Sequence, residues 1–281
     1  MAKLGQLIRR HPALAAVSCL AVGLVVLLAA GGGSGEGDDR NSDSLTGSLQ
    51  VALSYVARPA QPEVAPAPPP DERGRTARRD PNLNEVATVL PGREVVLRRS
   101  PNGERVALLG SRTEFGSDRN LWIARRHGDW LGVPTEVLPD SRLGWIRADA
   151  SRLRVSVTPY RIDADISERE LRLLRGKRVV ERFPVTVGGP GSPTPPGRYS
   201  VTDGLTTSGA LTYYYGCCVL ALNGHQPNLP AGWIGGDRIA IHGTAGGIGG
   251  AASAGCLRAS DADMVALFRR VPLGTPVLIR R

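Results

Sequence analysis

The stretch that most constrains the fold of this chain is residues 239–258, which read IAIHGTAGGIGGAASAGCLR. It opens with a short apolar strand that leads to His242. A loop of glycine and alanine follows, and Cys256 then stands between a glycine and a leucine. Glycine lets the backbone approach a ligand closely, because it has no Cβ and adopts positive φ cheaply. We therefore expect a β scaffold that presents His242 at a sheet edge or tip, beside a compact loop.

His242 and Cys256 have the chemistry of a base and a nucleophile. A thiol attacks a carbonyl as the thiolate, and a neighbouring imidazole is the usual base. The backbone N–H groups of Ala254, Gly255 and Cys256 offer an oxyanion hole, and Arg258 offers a fixed positive charge for a substrate carboxylate. The alternative is a buried structural cysteine and a surface histidine, since sequence spacing alone does not establish proximity.

The motifs around these residues resemble the active-site signature of the YkuD-type L,D-transpeptidase family. They are His242-Gly243-Thr244 and Ser253-Ala254-Gly255-Cys256-Leu257-Arg258. The segment 192–199, SPTPPGRY, is similar to the Thr-Pro-x-Gly-x-Phe/Tyr segment of the family, and the resemblance extends over about residues 155–281. Ala254 stands where most members carry a second histidine. The backbone N–H survives that change, whereas any side-chain role of the histidine is lost.

The resemblance implies a mainly β fold, with a β-sandwich catalytic domain and one short helix after the catalytic cysteine. It implies a cysteine-dependent acyltransferase that takes peptidoglycan stem peptides as donor and acceptor. Cys256 and His242 would form a thioester acyl-enzyme, release D-alanine and produce a 3→3 cross-link. Gly243 is expected to orient the imidazole through its carbonyl, and Ser253 to shape the loop. No cofactor and no metal is expected.

Several alternatives stay open within this interpretation. An L,D-carboxypeptidase would use the same site with water as acceptor, and a non-catalytic wall-binding protein would retain the site in decayed form. Arg258 is assigned either to a substrate carboxylate or to holding the loop. Tyr214 and Tyr215, which precede Gly216, form either a substrate wall or flap, or surface aromatics of a strand.

The N-terminal composition predicts an exported protein. Residues 1–12 are a basic n-region, and residues 13–30 are an uncharged, mostly apolar run followed by acidic residues. This order places the N-terminus in the cytoplasm and the remainder in the cell envelope. The run is short for a membrane span and long for a cleavable signal, so a single-pass anchor and secretion after cleavage are both open. Residues 31–84, rich in Gly and Ser and then in Pro, read as a linker.

Residues 85–152 read as a small β module, with short strands separated by regular turns. The Gly-Asp-Trp at 128–130 and the Gly-Trp-Ile at 144–146 are similar to elements of bacterial SH3-like domains. The tryptophans at 122, 130 and 145 are expected in its core, with stacking on sugar or peptide as the alternative. The catalytic domain is assigned to residues 153–281.

Three local patterns in the catalytic domain predict structure. Gly176-Lys177 is a two-residue hairpin turn, and Ser260 to Asp263 is a variant capping box that predicts a helix over 261–270. Cys217 and Cys218 are expected to remain thiols on a strand, one facing in and one out. Their spacing does not support a zinc site.

The net charge of +9 is spread along the chain as isolated arginines. It is read either as solvated surface or as affinity for anionic wall polymers or lipid headgroups. Nucleic-acid binding is not expected, because no basic stripe with interleaved aromatics is present in the sequence. The protein is expected to be a monomer.

Overall fold

The computed structural model describes residues 80–233 and 236–281. Within these ranges the first part of the chain, here called the small module, consists of β1 (Asn84–Val89), β2 (Glu94–Arg98), β3 (Arg105–Gly110), β4 (Asn120–Trp122), β5 (Arg125–His127), β6 (Trp130–Val133), β7 (Gly144–Arg147) and β8 (Leu153–Thr158). The second part, the large domain, consists of β9 (Tyr160–Asp165), β10 (Glu170–Arg175), β11 (Arg178–Pro184), β12 (Val187–Gly188), β13 (Gly197–Thr206), α1 (Ala210–Tyr215), β14 (Cys218–His225), β15 (Arg238–Thr244), β16 (Ala251–Ser253), β17 (Leu257–Ser260), α2 (Asp261–Arg270) and β18 (Pro276–Arg280).

The small module contains two sheets, ordered β3-β2-β7-β6-β5 and β4-β1-β8. The predicted turn at residues 100–103 joins β2 to β3, which pair antiparallel. Leu97, Leu131 and Ile146 are fully buried in a core separate from that of the large domain. Trp122 and Trp130 are also buried, as expected of core tryptophans, whereas Trp145 is only partly buried. The SH3-like character of the module stays a prediction.

The position of β8 differs from the predicted domain division. The predicted catalytic domain begins at residue 153. In the structure β8 pairs antiparallel with β1 along its whole length. Leu153 belongs to the core of the small module. The reason is long-range strand pairing, which a composition shift does not reveal.

The large domain is built on an eight-stranded sheet ordered β11-β10-β9-β18-β13-β14-β15-β17. Strand β13 pairs with a different neighbour along each part of its length. Residues 197–200 pair with β18, and residues 201–206 pair with β14. The register shifts between Val201 and Asp203, as strands do at corners where they change sheets. The predicted Gly176-Lys177 hairpin joins β10 to β11.

Helix α2 covers the sheet beside β14, β15 and β17. Ser260 caps it, since its Oγ accepts a hydrogen bond of 3.1 Å from the Asp263 N–H and donates one of 2.7 Å to the Asp263 carboxylate. Met264, Leu267 and Phe268 are buried in the main core. The predicted bounds and buried face of this helix are confirmed.

The predictions of a mainly β fold and of one short helix after Cys256 are confirmed. A helix that was not predicted, α1, also forms before Cys256, between Gly209 and Gly216, both of which have positive φ. Among the residues that the structure describes, no helix is long and apolar enough to cross a membrane. The predicted segments 1–12 and 13–30, and the linker up to residue 79, lie outside the described residues.

Candidate active site

His242 lies within β15, and Cys256 immediately precedes β17. The two strands are parallel, with His242 opposite Arg258 and Ile241 opposite Leu257. Successive side chains of a strand point to opposite faces. Ile241 and Leu257 face the core, whereas His242, Cys256 and Arg258 line one cleft. The pairing of these strands therefore brings the predicted nucleophile, base and cation to one surface.

The predicted position of His242 at a sheet edge or tip is wrong. Strand β15 is paired on both sides, because His242 also lies opposite Val219 of β14. The sequence analysis assigned no strand to residues 257–260. These residues form β17, which continues the sheet and leaves His242 only 2% exposed.

The protonation state of His242 follows from its contacts and burial. Its Nδ1 lies 2.7 Å from the carbonyl oxygen of Gly243, which only accepts, so Nδ1 carries the proton. Burial lowers the pKa of His242 to about 4, and the Arg258 charge acts in the same direction. The backbone contacts with Gly243 and Tyr215 oppose this shift. The imidazole is therefore neutral at pH 7, and Nε2 is the basic nitrogen.

The loop that carries Cys256 is closed by Ser253. The Ser253 Oγ donates to the carbonyl of Cys256 at 2.6 Å and accepts from the Gly255 N–H at 3.1 Å. The Gly255 N–H, one of the three expected oxyanion donors, is therefore engaged by Ser253 in this structure. The backbone of Ala254 remains in the wall of the cleft.

Position 255 requires glycine because of its backbone conformation and the closeness of Gln226. Its φ of +113° is strained for any residue with a Cβ, and an added Cβ would lie 2.0 Å from the amide nitrogen of Gln226. Gln226 was not identified from the sequence. Its amide nitrogen donates to the carbonyls of Pro193 (3.0 Å) and Ala254 (3.3 Å), and its Oε1 accepts from the Asn228 N–H. This buried side chain joins the proline-rich loop to the loop of the nucleophile, and no local sequence pattern marks such a link.

Asp261, the first residue of α2, holds the backbone at Cys217. Its Oδ1 accepts a 2.9 Å hydrogen bond from the Cys217 N–H. A Cβ at Gly216 or Gly243 would lie 2.0 or 2.1 Å from the same oxygen. The two glycines thus allow the first residue of α2 to approach the strand that carries His242.

Arg258 combines a fixed backbone with a side chain in the cleft. Its N–H and carbonyl pair with Thr186, at 2.9 and 2.8 Å. Its Nε is buried and has no hydrogen-bond partner among the residues that the structure describes. The backbone therefore helps to hold the strand, while the guanidinium retains a donor for a further group.

The three consecutive tyrosines lie on α1, so their interpretation as strand aromatics is wrong. Tyr214 and Tyr215 line the cleft. The Tyr215 ring contacts the imidazole of His242 edge to face, with ring centres 5.1 Å apart and an interplanar angle of 71°. Tyr213 is 83% exposed and does not share this position. The short helix presents two of the three rings to the site, as a wall.

Cys217 and Cys218 form a disulfide between adjacent residues, so the expectation of two thiols is wrong. Cys217 lies in the turn after α1, and Cys218 is the first residue of β14. Cys256 takes no part in this bond. The nucleophile predicted from the sequence is therefore the cysteine that remains outside the disulfide in the described residues.

The comparisons with known proteins agree with these motifs. The profile of the family described as "YkuD: L,D-transpeptidase catalytic domain" matches residues 159–279. A Bacillus licheniformis protein named "Putative L,D-transpeptidase YkuD" is 32% identical over 123 residues, or 43% of this chain and 66% of the relative. The Bacillus subtilis (strain 168) protein of the same name is 30% identical over 125 residues, or 44% and 67%. The chain thus spans about two thirds of the length of these relatives.

Solved structures are less similar. The L,D-transpeptidase from Mycobacterium smegmatis is 16% identical with a TM-score of 0.35, over 56% of this chain and 80% of that one. A mutant of the Enterococcus faecium L,D-transpeptidase is 21% identical with a TM-score of 0.34, over 43% and 49%. The family assignment therefore depends on the sequence matches. On the evidence of the profile and the two Bacillus relatives, the chain belongs to the YkuD-type L,D-transpeptidase family.

Proposed function

We propose that this protein is a peptidoglycan L,D-transpeptidase that forms 3→3 cross-links through a thioester on Cys256. The observation that carries the proposal is the common cleft of His242, Cys256 and Arg258, which the parallel pairing of β15 with β17 produces. A neutral base, a thiol and a cation with a spare buried donor are the groups that acyl transfer from a charged peptide requires.

In the first half-reaction, the donor is a stem tetrapeptide that ends in D-alanine. Nε2 of His242 removes the proton of the Cys256 thiol as the sulfur attacks the carbonyl carbon at the L-centre of the diamino acid. The tetrahedral intermediate collapses, the C–N bond to D-alanine breaks, and the imidazolium returns its proton to the leaving amine. The product is a thioester on Cys256 and free D-alanine.

In the second half-reaction, the side-chain amine of a diamino acid on a neighbouring stem attacks the thioester. His242 takes a proton from this amine, and the C–S bond breaks to restore the thiol. The low pKa of His242, about 4, favours the neutral imidazole that both proton transfers need at pH 7.

Two further groups are assigned to the substrate. The Ala254 N–H is the proposed donor to the developing oxyanion, since the Gly255 N–H is bonded to Ser253. The guanidinium of Arg258, with its unpaired buried Nε, is proposed to bind a carboxylate of the stem peptide. Tyr214 and Tyr215 are proposed to form the adjoining wall.

We also propose that the protein acts in the cell envelope, with residues 13–30 as an anchor or a cleaved signal and a monomeric enzyme beyond them. The disulfide between Cys217 and Cys218 supports an oxidising compartment. Cell fractionation with protease accessibility tests this location. Protection of residues 80–281 from protease in intact cells would contradict it.

The test of the reaction uses the full-length chain and a disaccharide-tetrapeptide, with protein and products followed by mass spectrometry. We expect a thioester adduct on Cys256 and a cross-linked dimer. Cys256→Ala should abolish the adduct and leave the circular dichroism spectrum unchanged. An adduct with tripeptide as the only product would indicate an L,D-carboxypeptidase. A folded wild-type chain with neither adduct nor product would indicate a binding protein with a decayed site.

A further inference from the structure

One side chain in the cleft comes from outside the large domain. Phe115 belongs to the loop of residues 111–118, here called the module loop, which joins β3 to β4 of the small module. It lines the same cleft as His242 and Cys256. Two further aromatic side chains of this cleft, Tyr214 and Trp233, are about half exposed. Aromatic rings from separate segments of the chain therefore meet around the reacting groups.

The module loop is closed by its own hydrogen bonds. The Thr113 N–H donates to the carbonyl of Ser117 at 2.9 Å, and the Gly116 N–H donates to the carbonyl of Thr113 at 3.2 Å. Arg112 and Asp118 pair across the base of the loop, with Nη1 and Oδ1 3.0 Å apart. The buried Arg119 donates to the carbonyls of Gly110 and Arg112 and pairs with Glu136. Phe115 is thus presented on a defined turn.

Polar contacts hold this turn against the large domain. The Thr113 hydroxyl donates to the carboxylate of Asp203, which is fully buried, and Glu114 pairs with Arg238. Arg238 is fixed in turn, because its Nε donates to the Leu222 carbonyl at 2.8 Å. Its guanidinium carbon lies 5.7 Å from the centre of the Phe115 ring, within the range of a cation–π contact.

We infer that Phe115 is a specificity-determining residue, through which the small module forms one wall of the substrate site. The inference rests on the proposed function for the identity of the substrate, a peptidoglycan fragment. A phenyl ring has no group that transfers a proton, so its role is contact with a part of the substrate that does not react. Contacts of this kind stabilise the bound ground state and transition state alike, and their loss raises KM more than it lowers kcat.

The first test measures kcat and KM of the full-length chain with a disaccharide-tetrapeptide. We expect Phe115→Ala to raise KM by about tenfold, the effect of one lost aromatic contact of about 1.4 kcal/mol, with kcat nearly unchanged. Phe115→Tyr should restore KM, because it keeps the ring. Leu108→Ala is the matched control, since Leu108 is an exposed apolar residue of β3 outside the cleft. A lower kcat with KM unchanged, or no change at all, would overturn the inference.

The second test does not depend on the proposed reaction. Cys256 is alkylated with iodoacetamide and, separately, with a bulky aromatic maleimide, and the two rates are compared by mass spectrometry. If Phe115 walls the cleft, Phe115→Ala raises the rate ratio of the bulky to the small reagent, and Leu108→Ala does not. An unchanged ratio would refute the wall. If the wild-type chain forms no thioester, the proposed function fails, while the ratio still decides the place of Phe115.

Discussion

The surroundings of two histidines of the large domain, His242 in β15 and His225 at the end of β14, favour opposite charge states. His242 is 2% exposed, and its hydrogen-bond contacts are with the backbone of Gly243, at Nδ1, and with the backbone of Tyr215. The side chain of His225 is 33% exposed and lies between two acceptors. Its Nδ1 is 2.9 Å from the Asp237 carboxylate and its Nε2 is 2.7 Å from the Glu136 carbonyl. Both nitrogens must carry protons to make both bonds, so the two acceptors favour the cationic ring.

The pKa values of the two histidines move in opposite directions for this reason. Burial lowers the pKa of His242, whereas the hydrogen bond to Asp237 raises that of His225. The first is a predicted base in a cleft, and the second links the large domain to the backbone of Glu136 in the small module. The access of water and the charge of the hydrogen-bond partner separate the two histidines, although the residue type is the same.

The largest expected effect comes from replacing each histidine in turn. His242→Gln should lower the rate of Cys256 acylation by about 10²–10⁴, because it removes the general base. His225→Gln should leave that rate close to wild type, since His225 lies outside the cleft. Single-turnover acylation followed by mass spectrometry measures both rates. Equal losses in the two variants would mean that the contrast between the two sites is mistaken.

The second prediction concerns the pH dependence of stability. The contributions of the two histidines to the free energy of unfolding change with pH in opposite directions. The pKa of His242 is about 6.5 in the unfolded chain and about 4 in the folded chain. Its contribution to the free energy of unfolding is therefore lost as the pH drops through this window, by about 3 kcal/mol in total. The pKa of His225 is raised on folding, so its contribution is complete below about pH 6.5 and is lost as the pH rises through the folded pKa.

Urea unfolding of the wild type and of each glutamine variant, from pH 4 to pH 9, measures these contributions. We expect the wild type to lose stability relative to His242→Gln on the acid side. Relative to His225→Gln it should lose stability on the alkaline side. Differences that are flat with pH, or that slope the other way, would contradict the assigned charge states.

The smallest effect is expected from Asp237→Asn. Loss of the carboxylate should lower the pKa of His225 toward its ordinary value, since the hydrogen bond to Asp237 is the largest cause of its rise. The pKa of His242 should not move, because Asp237 is not among the groups that shift it. Titration of the imidazole resonances by NMR measures both, with Asp129→Asn as an exposed control in the small module. A shift confined to His242 would reverse the comparison.

Much of the local structure could be predicted from the sequence, because it depends on neighbouring residues. The Ser260 cap and the spacing of Met264, Leu267 and Phe268 specify α2 through interactions within one turn. The Gly176-Lys177 turn specifies its hairpin in the same way. The short helix α1 was missed, since it begins and ends at glycines and buries no residue, so it has no apolar period to detect.

The sequence by itself determined the family of the chain and predicted His242 and Cys256 as its reactive pair, through two short motifs and the glycine-rich segment between them. Only the tertiary structure decided the surroundings of the two residues. The parallel pairing of β17 with β15 buries His242, and contacts across the fold bond Gln226 to the nucleophile loop and bring Phe115 into the cleft. The physical reason is that pKa, access and the position of a partner depend on groups distant in the sequence, which meet only when the strands pair.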